Sequence, residues 1–195
     1  LPVARLIVAT NVNDILHRAL SSGDYSAGSV TPTATPSMDI QVSSNFERLL
    51  FDLAGRDGAA IAGMMDAFDR DRAMSIPADM LTEARGLFSS ARIDGDAMSL
   101  ALRWAQEKGG QIIDPHSAVG LAAARALEID ADIPVVTLAT AHPAKFRDAV
   151  ERATGVRPAL PARLGNLFDR EERYERLPGD YDAVKAYILS EVARG

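Results

Sequence analysis

Residues 3–9 form a short apolar run rich in Val, Leu and Ile that ends at the polar stretch Thr10-Asn11-Val12-Asn13-Asp14. Such a run predicts a buried strand, and the polar residues after it predict a helix over about 14–22. Residues 23–36 are crowded with Ser, Thr, Gly and Pro, which favours an ordered loop. From Asn45 the spacing changes: Phe46, Leu49, Leu50 and Leu53 fall at helical intervals, and Gly55 stands where a helix should stop. Ile61, Met64, Met65 and Phe68 repeat that spacing. Two further stripes follow, Leu81, Ala84 and Phe88, then Met98, Ala101, Leu102 and Ala105. Residues 45–108 are therefore expected to form a helical insertion whose Met and Leu stripes are core.

After Gly109-Gly110 the pattern alternates: a strand at 111–113, a helix at 117–127, a strand at 135–139 and a helix at 144–153. Strands alternating with helices of this length predict an α/β fold, with a parallel or mostly parallel sheet flanked by helices in three α/β/α layers. From Arg157 onward, Pro-punctuated short segments lead to an amphipathic helix carrying Tyr181, Val184 and Ile188, expected to pack across the domain.

Composition narrows the function classes. The 195 residues suit one domain or a large piece of one. There is no cysteine, which excludes disulfides, thiolate metal sites and a cysteine nucleophile. Lys and Arg number 21 against 27 Asp and Glu, a net charge of −6 without any basic cluster, so nucleic acid is not an expected partner. No apolar run approaches the ~20 residues that cross a bilayer, and the opening LPVARLIVA lacks the flanks of a signal peptide. Neither a membrane nor secretion is expected; a cytoplasmic protein is.

In open α/β sheets ligands bind beside the carboxyl ends of the strands, and three polar segments fall there: 10–14, 114–118 and 140–145. Asp114 can cap a helix whose first position Pro115 takes, which leaves His116 and Ser117 unexplained. Pro143 likewise fits a helix start, with His142 at the cap, Lys145 one turn in and Thr140 at the strand end. Capping alone accounts for much of this. A serine hydrolase lacks its G-x-S-x-G elbow, and the three histidines, His17, His116 and His142, have no metal-ligand spacing. Glycine-rich nucleotide cradles are also missing.

Taken in order, ATNVNDIL at 9–16, SMDIQVSSNFERLLF at 37–51, DPHSAVG at 114–120 and TLATAHPAKF at 137–146 resemble threonine synthase of the bacterial and fungal type. The resemblance runs from the first residues to the last helix. It implies the tryptophan-synthase β-like fold (fold type II) of pyridoxal-phosphate enzymes, with this chain as the C-terminal part of the large domain. It also implies conversion of O-phospho-L-homoserine and water into L-threonine and phosphate, with pyridoxal 5'-phosphate as electron sink. Thr140 matches the hydroxyl that faces the cofactor's pyridine nitrogen, and Asp114, His116 and Ser117 match a turn bordering its ring. Asn11, Asn13 and Asp14 match the motif after the family's first strand, where cofactor and substrate groups converge. His142 and Lys145 carry over only as supports of their turn, and Ser37, Asp39 and Asn45 match a segment that is structural at least.

The departures matter as much. The family's Schiff-base lysine lies in an S-F-K-D segment and its phosphate loop is G-N-F-G. Neither is present here, where the lysines are Lys108, Lys145 and Lys185. The resemblance therefore implies no catalytic residue in this chain, no activity from it alone, and an N-terminal part of the same protein as its partner. Another pyridoxal-phosphate lyase of this fold, such as a threonine dehydratase, and a non-catalytic remnant that binds a partner or small anion remain as alternatives.

Overall fold

A computed structural model describes residues 2–130 and 132–194. It divides into two compact units, Leu1–Ala159 and Leu160–Gly195.

The first unit is built on strand β1 (Leu6–Thr10), which pairs in parallel with β4 (Phe88–Arg92) in the register Leu6↔Phe88 to Thr10↔Arg92. Side chains alternate across a strand, and here the alternation separates two helical layers. Ile7, Ala9 and Ala91 pack with helices α5 (Gly95–Gly109) and α6 (Pro115–Ala126) around Met98, Ala101, Leu102, Ala118, Val119, Ala122 and Ala123. The opposite face meets α1 (Ile15–Ser22), where His17 Nδ1 lies 3.0 Å from Ser90 Oγ. The α/β class and the helices flanking a parallel sheet are as expected.

A second core is organised around Tyr25 of β2 (Asp24–Ser26), an antiparallel partner of β3 (Ala73–Ser75). It gathers Ile15 and Ala19 of α1, Phe46 and Leu50 of α2 (Phe46–Leu53), Ile61 and Phe68 of α3 (Gly58–Asp71), and Met80 and Leu81 of α4 (Ala78–Arg85). Gly23 turns α1 into β2 with φ +81°, a conformation that L side chains rarely adopt, and a Cβ there would lie 3.3 Å from the Ile76 carbonyl oxygen. The helical stripes of 46–68 and 98–105 do face cores.

Four expectations need correction. Residues 45–108 are not wholly helical, because they supply β3 and β4. Phe88, read with the helical stripe, begins the strand that pairs with β1. Gly23 to Pro36, read as loop throughout, contains β2. Segments 111–113 and 135–139 run without regular secondary structure, because a strand exists only where a neighbouring strand accepts from its N–H groups and donates to its C=O groups, and among the described residues neither segment has such a neighbour.

Helix α7 (Arg147–Thr154) is the last helix of the first unit. The second unit has two 3₁₀ turns, Ala162–Leu164 and Leu167–Asp169, and helix α8 (Tyr181–Val192), capped by Asp180, which accepts from Ala183 N at 2.9 Å. No residue of α8 is buried. Among the described residues no helix is long and apolar enough to cross a membrane.

Candidate functional site

The carboxyl end of β1 leads into Asn11 and Asn13, both buried, which stitch the irregular segment 31–39 to the strand. Asn11 Nδ2 donates to Thr33 Oγ1, Thr35 Oγ1 and Asp39 Oδ1 at 3.0, 2.9 and 2.7 Å. Asn13 Nδ2 donates to the Thr31 carbonyl at 2.9 Å and to Asp39 Oδ1 at 3.0 Å, while its own Oδ1 accepts from Thr31 N at 2.8 Å. The Asp39 carboxylate also accepts from Thr33 N and Thr33 Oγ1, so this knot is internally satisfied. Asp14 does not join it. Its carboxylate is bridged by Arg18 at 3.0 Å and Arg92 at 3.3 Å, fixing the start of α1 to the end of β4.

The same segment continues into a 3₁₀ turn, Pro36–Met38, where the Ser37 N–H donates to His116 Nε2 at 3.2 Å. A backbone N–H can only donate, so Nε2 carries the lone pair and the neutral ring bears its proton on Nδ1. That Nδ1–H donates to Asp114 Oδ1 at 3.0 Å.

Asp114 is wholly buried and begins α6 with an extended backbone. Besides the imidazole it accepts from His116 N at 2.9 Å, from Ser117 N at 3.4 Å and from the Ser117 hydroxyl. The helix N-terminus supplies both the orphan donors and a favourable dipole for this carboxylate. Ser117 Oγ, having donated to Asp114, accepts the Thr140 N–H at 3.0 Å. Thr140 is exposed, and its hydroxyl has no hydrogen-bond partner among the described residues.

The Phe146 ring lies 4.5 Å from that of His116, tilted by 54° to it, tying in the turn Pro143–Phe146. His142 caps that turn by accepting from Ala144 N at 3.1 Å, and the exposed Lys145 places Nζ 5.8 Å from the Phe146 ring centre. Among the described residues no cluster of His, Asp and Glu could hold a metal ion. A groove of about 470 Å³ between α5 and α6 is bordered by Leu100 and Trp104, with Arg125 lying 4.1 Å over the indole, and brings together no catalytic groups.

The three sequence-read segments thus meet in one continuous network, from Asn11 and Asn13 through 31–39 to Asp114, His116, Ser117 and Thr140. Thr31, Thr33 and Thr35 are the members that sequence reasoning missed. Their signal was the alternation Thr31-Pro32-Thr33-Ala34-Thr35-Pro36 within a stretch read only as loop.

A family model described as threonine synthase, C-terminal, matches residues 117–188. The threonine synthase of Pseudomonas aeruginosa is 47% identical over 196 residues, covering 100% of this chain and 42% of that protein. That of Saccharomyces cerevisiae is 33% identical, covering 100% of this chain and 43% of its own length. The crystal structure of PLP-bound threonine synthase from Brucella melitensis superposes with a TM-score of 0.88 at 44% identity, covering 97% of this chain and 40% of that one. The chain spans about two fifths of the length of the curated relatives it matches. By motif, by fold and by identity along its whole length, the chain belongs to the threonine synthase family and corresponds to the C-terminal portion of its members.

Proposed function

We propose that these residues are the C-terminal part of the large cofactor-binding domain of a cytoplasmic, pyridoxal-phosphate-dependent threonine synthase. The complete protein converts O-phospho-L-homoserine and water into L-threonine and phosphate. The observation that carries this reading is the pairing of a free hydroxyl at Thr140 with a backbone held by Ser117.

The rim fits the cofactor's ring. A ring nitrogen needs a donor or a weakly polar partner, and the Thr140 hydroxyl is available to it. Asp114 is enclosed by its four hydrogen bonds, so the nitrogen would meet a neutral group rather than a carboxylate. When bound, the cofactor supplies an electron sink for carbanion chemistry at the substrate. Thr140 would hold the ring edge and, as a neutral partner, would limit how far negative charge spreads into it. Asn11, Asn13 and the 31–39 segment form a fixed wall where cofactor and substrate groups converge, and Asp114, His116 and Ser117 border the ring as its support. His142 and Lys145 maintain the turn that follows Thr140.

The lysine that anchors the cofactor and the loop that cradles its phosphate would come from the N-terminal part of the same protein. Lys108, Lys145 and Lys185 are all exposed and none adjoins Thr140 in the hydrogen-bonded network. This chain alone is therefore expected to show no synthase activity.

Phosphate release from O-phosphohomoserine by the complete protein tests the reading, and conversion of threonine to an oxo acid instead would identify a dehydratase. In the complete protein, Thr140→Val should change the cofactor's absorption spectrum and lower turnover. A hydrogen bond of about 1.5 kcal/mol corresponds to roughly tenfold in rate. An unaltered spectrum with full activity would refute the role of Thr140.

A further inference from the structure

Residues 134–140 lack a strand partner among the described residues, yet Thr140 occupies a defined position. Two observations explain how. Among the described residues, the only hydrogen bond from this stretch is Thr140 N–H to Ser117 Oγ at 3.0 Å. Three residues further along α6, Gly120 lets the stretch approach closely, since a Cβ there would lie 3.3 Å from Thr137 Cγ2.

We propose that Ser117 is the positioning residue for Thr140, oriented by Asp114, and that the same carboxylate sets the 36–38 turn through His116. This rests on the cofactor reading of Thr140 given above.

The direction of each hydrogen bond supports it. The Asp114 carboxylate accepts only, so the Ser117 hydroxyl must give its single proton to Asp114 and turn a lone pair towards Thr140 N–H. Neither rotor nor tautomer is free. Helix capping explains Asp114 and its bonds to His116 N and Ser117 N, but capping does not require the Ser117 hydroxyl to hold a backbone N–H 23 residues away. Nor does it require His116 Nε2 to accept from Ser37, 79 residues away. One buried carboxylate therefore aligns two distant rim segments in opposite directions along the chain.

The test uses the complete protein with and without pyridoxal phosphate, comparing wild type with Ser117→Ala and the near-isosteric Ser117→Cys. Ser117→Ala removes the acceptor; Ser117→Cys preserves size while weakening it. Without cofactor, amide hydrogen exchange at Thr140 should accelerate by about tenfold or more in Ser117→Ala and by less in Ser117→Cys, with the amides of 119–123 unchanged. With cofactor, Ser117→Ala should move the absorption spectrum in the same sense as Thr140→Val and lower kcat more than it raises KM. Ser117→Cys should fall between.

Thr140 exchange at the wild-type rate in both variants would overturn the proposal. So would loss of activity with an unshifted spectrum in a folded Ser117→Cys protein. The cofactor reading fails separately, if Thr140→Val itself leaves spectrum and turnover unchanged while the exchange result holds.

Discussion

Asp114 accepts four hydrogen bonds without any exposure to water, whereas Asp57, the cap of α3, accepts from Ala59 N at 2.9 Å and Ala60 N at 3.1 Å at an exposed helix end. The two positions are chemically alike and energetically different. Asp57→Ala should cost about 1 kcal/mol, since water can take over the freed donors. Asp114→Ala strands an imidazole N–H and a hydroxyl in the interior and should cost roughly 2–4 kcal/mol. Urea unfolding of both variants measures the contrast, and equal losses would mean that Asp114 acts as a cap and nothing more. At this scale the sequence was partly legible. Asp114 and Pro115 declare a helix start by their types alone, and the family motifs single out His116, Ser117 and Thr140. The bonds from Ser117 to Thr140 and from His116 to Ser37 were not legible, because no local rule pairs residues 23 and 79 apart. Asp14 was placed by its motif at the rim, but its partners Arg18 and Arg92 are visible only once α1 and β4 are adjacent.

Helices with strong apolar stripes were readable because 3.6-residue periodicity is a local property. Short strands were not. The sequence of β4, Phe-Ser-Ser-Ala-Arg, has one large apolar residue and no alternation, and it becomes a strand by pairing with β1. β2 was hidden likewise, although Tyr25 is the centre of a core. Its ring lies 5.2 Å from that of Phe46 and 5.0 Å from that of Phe68, and its hydroxyl accepts from Ser43 N at 2.8 Å while donating to the Ser43 carbonyl at 3.4 Å. Tyr25→Phe keeps the packing and should destabilise by about 1 kcal/mol, measured by thermal or urea unfolding. Burial also pushes the Tyr25 phenol above its ordinary range, with the Ser43 hydrogen bond and the Arg72 charge opposing. A pKa raised in the folded state gives stability that is complete below the unfolded value and lost as pH rises through the folded one. Stability should therefore fall on the alkaline side of the usual tyrosine range, where Tyr25 loses its phenolic proton. An alkaline stability profile identical in wild type and Tyr25→Phe would contradict this.

The molecule as a whole presents an apolar stretch that its own described residues do not cover. Val135, Val136 and Leu138 are 50%, 80% and 73% exposed in the segment whose sequence reads as a strand, and Ile133 just before it is 43% exposed. The α/β class and the meeting of three motifs at one rim were accessible from the sequence, because alternation of strand and helix and the carboxyl-end rule operate on whole units. That 111–113 and 135–139 stay unpaired was not, since pairing is a property of two segments. The two-fifths coverage of the relatives explains why such a surface is compatible with a member of this family. Purified alone, the chain should self-associate through this stretch despite its net charge of −6. Val136→Lys with Leu138→Lys should shift its sedimentation towards monomer without altering helical circular dichroism; unchanged association would place the contact elsewhere.

The knot that binds Asn11 and Asn13 to Thr31, Thr33, Thr35 and Asp39 bears on what this protein tolerates. Irregular surface segments are the usual places where chains accept insertions, deletions and drift. Here each of those side chains satisfies another, so lengthening the segment by one residue would put several donors out of register at once. Residues 31–39 should therefore behave towards change as a core does, with tolerance to length variation found instead at exposed turns such as the one around Arg56 and Gly58.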